Sequence, residues 1–284
     1  MFATVEDNAD RKFLTIRQES RMTLIHTSID AARDVLVVTI NVEPSTRLEI
    51  PAHPNLDWLE HNTSVVKHAS IWSDDTDGWE YPAAWTEPFS TFLGKNTRLI
   101  YKGPTPRILR GNAMPELLGR TQSFAFADLC CVQVSNQNSM DDLNGRLRER
   151  GAGEITIERF RPNIIVSGVG FEPWNEDLWK TVRILSSNEG TKEKQRRPLT
   201  LDVPCRCLRC QVPNVDPETG IKNKEEPWNT LMQFRNVDAG NKYKPCFGML
   251  CVPREEGMVR VGDVLEVTEV TEDHEFMKNL PAGT

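Results

Sequence analysis

Short apolar runs closed off by turn residues recur along the chain: DVLVVTI at 34–40, SVVKHASIW at 64–72, TRLIY at 97–101, PNIIVSGV at 162–169, DLWKTVRIL at 177–185, PLTLDVP at 198–204, CFGMLCV at 246–252 and DVLEVTEV at 263–270. Their β-branched and aromatic content, bounded by Gly, Pro, Asn or Asp, predicts strands. The 162–169 run is apolar enough to read as a fully buried strand. Helical periodicity is rarer. Met140, Leu143 and Leu147 recur on one face of a helix that the pattern starts at Ser139. Ser139 and Asp142 have the spacing of a capping box, and Arg146, Arg148 and Arg150 fall near the end, where cations complement the helix macrodipole. A second helix carries Trp85, Phe89, Phe92 and Leu93 and stops at Gly94; a third follows Pro227 with Trp228, Leu231 and Met232.

Strand runs without regular β-α alternation predict a mainly β protein (β-rich α+β), built as an antiparallel β-barrel decorated by helices rather than as a doubly wound sheet. The Pro/Gly-rich stretch KGPTPRILRGN at 102–112 is the natural divider, so domains are expected at 1–112 and 113–284. The charged interruption SSNEGTKEKQRRP at 186–198 reads as an exposed loop or long hairpin tip.

With 284 residues, 38% hydrophobic and 26% charged, the chain has the composition of a folded globular protein. A net charge of −7 argues against a general nucleic-acid binder, so any anion site has to be local. No run approaches the roughly 18 apolar residues of a membrane span. The start, MFATVEDNADRKF, has neither a signal-peptide apolar region nor the acid-poor character of a transit peptide, which leads to the expectation of a soluble intracellular protein, cytoplasmic or associated with mitochondria. Seven cysteines, with Cys130 and Cys131 adjacent and Cys205, Cys207 and Cys210 clustered, are a poor pattern for a secreted disulfide framework.

Chemistry concentrates in PCRCLRCQVPNVDPETG at 204–220, where Arg206 and Arg209 are interleaved with three thiols. A thiolate binds soft metals and is favoured by neighbouring guanidinium groups, which also bind phosphate, so this loop could hold a metal together with an anionic cofactor tail. Two other readings fit the same residues: small buried hydrophobes between solvated arginines, or a zinc site completed by Cys246 or Cys251. A second informative stretch is RFRPNIIVSG at 159–168, where Arg161 and Asn163 flank a proline at the entry to a strand. That placement suits anion and amide recognition, and equally a simple turn.

Taken together, FADLCCVQVSNQNSMDDLNGRL at 126–147, RFRPNIIVSG at 159–168, CRCLRCQVPNVDPETG at 205–220, KEEPWNTLMQFR at 224–235 and GMVRVGDVLEV at 257–267 resemble a MOSC domain of the mitochondrial amidoxime-reducing component type, over roughly residues 120 to 270. The upstream stretches KFLTIRQESRMTLIHTSID and WTEPFSTFLGKNTRLIYK resemble, more loosely, the latter part of the N-terminal β-barrel domain that precedes it in that branch. The resemblance implies a pair of β-barrels with a molybdenum–pterin cofactor between the lobes. It also implies a single metal ligand and catalytic thiolate at Cys210, with cofactor contacts from Arg161, Asn163, Cys207, Leu208, Arg209 and Cys210. By the same resemblance, the activity is reduction of small N-hydroxylated substrates with electrons from a cytochrome b5-type donor. The alternative it allows is a cofactor carrier or sulfur-handling module without turnover, since MOSC domains also occur in cofactor sulfurases beside a pyridoxal-phosphate domain.

Several positions depart from the family pattern. Leu208 stands where relatives have a small polar residue, and Leu129-Cys130-Cys131 lacks the proline that follows Phe-Ala-Asp. The Tyr-Pro-x-Lys-Ser and Asp-Arg-x-Trp strands of relatives have no counterpart here. Arg11 lies in an Asp-Arg pair, but its distance from Arg17-Gln18 places it on the following strand. The expectation is therefore a partial first barrel with unpaired edges, weak cofactor retention, a tendency to associate, and recovery on extension upstream of Met1.

Overall fold

The computed structural model describes residues 1–5, 10–43, 45–72, 74–187 and 196–276. The chain divides into two compact units, one of Met1–Arg107 with Val215–Asn223, the other of Ile108–Asn214 with the described residues from Lys224 onward. The first division falls inside the 102–112 stretch. The return of Val215–Asn223 to the first unit has no compositional marker, and it splits the CRCLRCQVPNVDPETG motif between Asn214 and Val215.

The first unit contains β1 (Phe2–Val5), β2 (Arg11–Phe13), β3 (Ile25–Asp30), β4 (Val35–Ile40), β5 (Thr46–Pro51), α1 (Leu56–Asn62), β6 (Ser64–Ile71), β7 (Asp74–Glu80), α2 (Ala83–Leu93) and β8 (Thr97–Lys102). Strands β1, β2, β6, β7 and β8 close into a barrel in that order. The unpaired edges expected of this barrel do not occur, because β1 pairs antiparallel with β2 on one side and with β8 on the other. A closed sheet offers no free row of N–H and C=O groups to template association. Beside it β3, β4 and β5 form an antiparallel sheet. Only β4 shows as an apolar run, because β3 turns its four middle residues to solvent. Helix α2 buries Phe89 against Val38 and Ile40. It ends at Gly94, whose φ of 65° is the left-handed C-cap conformation that a glycine adopts without steric cost.

In the second unit β9 (Arg107–Ile108), at the junction, pairs with β10 (Ser123–Phe124). The main sheet is formed by β11 (Val132–Asn136), β12 (Ile164–Val166), β13 (Trp179–Leu185), β14 (Leu199–Leu208), β15 (Cys246–Pro253) and β16 (Val264–Val270), in the order β12-β11-β15-β14-β13-β16. It is antiparallel except for the parallel β11–β12 pair. One face packs Val134, Val182, Leu201, Val203, Met249 and Cys251 into a core. On another, α4 (Gln137–Glu149) sets Met140, Leu143 and Leu147 against Phe160 and Phe247, joined by Leu231 of α5 (Trp228–Phe234). The Phe160 and Phe247 rings stack with centroids 3.8 Å apart. The remaining helix, α3 (Pro115–Leu118), is a single turn.

Three expectations are revised. Strand β12 is short and lies at a sheet edge, with Ile165 43% exposed, so it is not a fully buried strand. Strand β14 runs on through Leu208 and carries Cys205 and Cys207 into the sheet. The Ser139–Asp142 capping box does not form. Helix α4 starts at Gln137, and the Asn136 side chain caps it by accepting from the Asn138 N–H at 3.0 Å. Ser139, one turn in and fully buried, instead donates to Glu176 Oε2 at 2.9 Å and accepts from the Trp174 N–H at 2.7 Å. Tertiary partners have outbid the local cap. Most of the 186–198 interruption lies outside the described residues.

Glu176 supplies a test of this packing. It is completely buried, its Oε2 accepts from Ser139 and from Asn136 Nδ2 at 3.1 Å, and its Oε1 has no partner among the described residues. Burial pushes its pKa above the usual carboxylate value. A group with a raised folded-state pKa contributes full stability below its unfolded pKa and loses it as pH rises through the folded value. Glu176→Gln, which cannot ionise, is therefore expected to match the parent in thermal unfolding near pH 4 and to exceed it progressively at higher pH. Parallel melting curves at all pH values would refute this.

Candidate functional site

The alternation of β14 sorts the cysteine-arginine motif. Cys205 and Cys207 pack with Leu109, Cys130, Leu250 and Val252 and are only 4% and 8% exposed. Burial drives the Cys205 thiol well above its ordinary pKa, and it raises that of Cys207 against the opposing pull of Arg209. Arg206 points the other way. Its Nη1 donates to His274 O at 2.6 Å and its Nε lies 3.6 Å from Asp177, whose carboxylate is also held by Arg235 at 2.8 Å to both oxygens. Arg206 is thus part of a buried ion network rather than a solvated neighbour of Cys210. Cys210, two residues past the end of β14, is half-buried and makes no hydrogen bond among the described residues.

Arg209 faces inward. It is 7% exposed; Nη1 donates to Gln133 Oε1 and to Cys207 Sγ, each at 2.9 Å, and Nη2 donates to Phe160 O at 2.7 Å. Its main-chain N–H donates to Pro245 O at 2.8 Å. A phosphate contact by this guanidinium, expected from the motif, would need those donors turned outward. Within the described residues they are already committed to protein acceptors, and Nε alone is buried without a partner.

Arg161 shows the opposite character. It follows the 3-10 turn Ile157–Phe160, is exposed, and sits at φ 57° in the left-handed region, uncommon for a residue with a Cβ. Its guanidinium has no bond among the described residues, whereas its N–H donates to Glu158 O at 2.8 Å. Asn163 is anchored: its Oδ1 accepts from the Gln133 N–H at 2.8 Å and its own N–H donates to Gln133 O at 2.9 Å. Its Nδ2 has no partner among the described residues.

The two motifs therefore converge through Phe160, Gln133 and Arg209. Their chemistry suits a soft metal with an anionic tail: one accessible unbonded thiol, one exposed unpaired guanidinium, one oriented amide and one orphaned guanidinium N–H. Among the described residues no group of three or more His, Cys, Asp or Glu side chains gathers at metal-binding distance. Leu208 is half-buried against the Cys205 and Cys207 cluster. A cavity of about 720 Å³ in the second unit is lined by Asn163, Val132, Ile164, Leu199, Leu201 and Glu256 among others, but by none of residues 207–210. It is therefore not taken as the reactive centre. Gln133 was missed by sequence reasoning. The one available signal was a glutamine between Val132 and Val134, which strand alternation places on the face opposite the valines.

Residues 121–266 match the family model described as MOSC domain. The chain is 27% identical over 256 residues to mitochondrial amidoxime-reducing component 1 of Danio rerio, covering 89% of this chain and 70% of that protein. It is 29% identical over 263 residues to the Mus musculus protein of the same name, covering 90% and 68%. Molybdenum cofactor sulfurase of Arabidopsis thaliana is 30% identical over 252 residues, which is 84% of this chain and 28% of that protein.

The burial pattern makes the thiols distinguishable in solution. Cys210 and Cys131 are half-buried, while Cys130, Cys205, Cys207, Cys246 and Cys251 are buried. Burial also pushes the thiols of Cys130 and Cys246 up to about 12. Brief iodoacetamide treatment of native protein followed by peptide mass spectrometry is expected to label Cys210 and Cys131 and to spare the other five until denaturant is added. Equal labelling of Cys205 or Cys207 under native conditions would contradict the arrangement.

Proposed function

Because this chain belongs to the MOSC domain family, we propose that it binds a molybdenum–pterin cofactor through Cys210 and reduces small N-hydroxylated substrates. The observation that carries the reading is the contrast within one loop: Cys205 and Cys207 are sealed into the sheet, and Cys210 alone is left accessible and unbonded beside a rigidly held arginine. The amidoxime-reducing relatives support the activity by their names.

When bound, such a cofactor supplies the two-electron redox chemistry that removes oxygen from an N-hydroxyl group. The protein's own contribution is to hold and orient. Cys210 offers the single protein thiolate. Arg161, exposed and unpaired, takes the phosphate by charge-assisted hydrogen bonds. Asn163, fixed against Gln133, presents its amide to the pterin. Cys207, Leu208 and Arg209 shape the loop, with Arg209 acting from behind rather than on the phosphate. The reading carries with it the donor that the resemblance implies, a cytochrome b5-type protein. A second reading, a cofactor carrier or sulfur-handling module, is favoured by the match to a cofactor sulfurase.

Molybdenum per chain, measured on freshly purified protein, is expected to fall to background in Cys210→Ser and to stay near the parent level in Cys205→Ser. A hydrogen bond from a charged group contributes roughly 1.5–3 kcal/mol, so Arg161→Ala is expected to weaken cofactor affinity by about tenfold or more with little change in folding. Equal loss in Cys210→Ser and Cys205→Ser would point to a multi-cysteine cluster. Anaerobic reduction of benzamidoxime with an artificial electron donor separates the two readings: bound molybdenum without turnover selects the carrier.

A further inference from the structure

We propose that Gln133 is a positioning residue that locks the Cys210 loop and the Arg161–Asn163 turn into one rigid site; this rests on Cys210 being the metal ligand. Strand β11 carries Gln133 to a position from which it bonds to both motifs. Through its main chain it pairs with Asn163 in both directions, at 2.8 and 2.9 Å. Through its side chain it accepts from Arg209 Nη1 at 2.9 Å, with the Cys207 sulfur 3.7 Å from the same oxygen. Its amide nitrogen donates to Ser135 Oγ at 3.2 Å, which fixes which end of the carboxamide meets the arginine.

The fold makes room for this arrangement. Gly248 of the neighbouring β15 has φ 74°, and a Cβ there would come within 2.5 Å of Ser135 Oγ and 3.2 Å of Gln133 Nε2. A buried guanidinium needs acceptors, since an unmet charged donor is costly in a site closed to water. Deprived of Gln133 Oε1, Arg209 keeps Phe160 O and the Cys207 sulfur, an acceptor weaker than an amide oxygen. The residue next in sequence is Cys210, so a loosened Arg209 releases the thiol it presents.

Gln133→Met keeps the length of the side chain and removes the acceptor; Gln133→Glu keeps an acceptor and strengthens it. Two readouts are taken on each: the rate of Cys210 alkylation in cofactor-free protein, and molybdenum per chain after exposure to cofactor. Gln133→Met is expected to alkylate Cys210 several-fold faster and to lower cofactor affinity by about tenfold, the factor typical of one charge-assisted hydrogen bond. Gln133→Glu is expected to return both towards the parent. If Gln133→Met does not fold, Gln133→Asn, whose amide falls one methylene short of Arg209, carries the same test. Parent-like labelling and occupancy in Gln133→Met overturns the proposal, and so does loss in Gln133→Glu equal to that in Gln133→Met. Should the parent itself take up no molybdenum, the cofactor reading fails separately, and the alkylation of cofactor-free protein still decides the role of Gln133.

Discussion

A guanidinium withdrawn from water must find its acceptors inside the protein, and Arg209 finds them on three separate stretches of chain. Phe160 supplies a carbonyl, Gln133 an amide oxygen and Cys207 a sulfur. Each is held by something larger. Phe160 is clamped between α4 and the ring of Phe247, Gln133 belongs to β11, and Cys207 lies in the sheet through β14. The bonds of one buried cation thus convert the packing of a helix and two strands into the placement of the next residue, Cys210. An exposed arginine in the same place would have left the loop to its own entropy.

The same logic explains how one short segment holds thiols of different character. Along β14 successive side chains leave on opposite faces, so Cys205 and Cys207 share an apolar cluster while Arg206 is carried to the other side. Desolvation favours the protonated form of the two buried thiols. Cys210, beyond the strand, is half-buried and lies outside that apolar cluster.

Arg206 enters a second charged system with Asp177, Arg235 and Asp238. Buried ion networks of this kind cost desolvation that their mutual attraction roughly offsets, so their value lies in geometry more than in net stability. Here the geometry is the tie between the 3-10 turn before β13, the end of α5 and the segment around His274. It also takes out of the site an arginine that, by position in the motif, looked available to a ligand.

Periodicity and composition alone determined the strand-rich class, the position of α2 with its Gly94 stop, the apolar face of α4 and the two motifs on which the proposed site is built. These are local properties: they follow from alternation, from capping residues and from residue types that only certain reactions use. The start of α4 was misread because Ser139 has the same hydroxyl whether it caps a helix or, as here, bonds the buried Glu176. Closure of the first barrel was invisible because it depends on β1 meeting β8 across nearly the whole unit. The roles of the arginines were equally hidden. Arg161, Arg206 and Arg209 look alike in sequence, and only the tertiary structure decided that one stays exposed, one joins a buried ion network and one turns inward to Gln133. Burial and the supply of acceptors are set by segments far apart in the chain, and no local pattern records them.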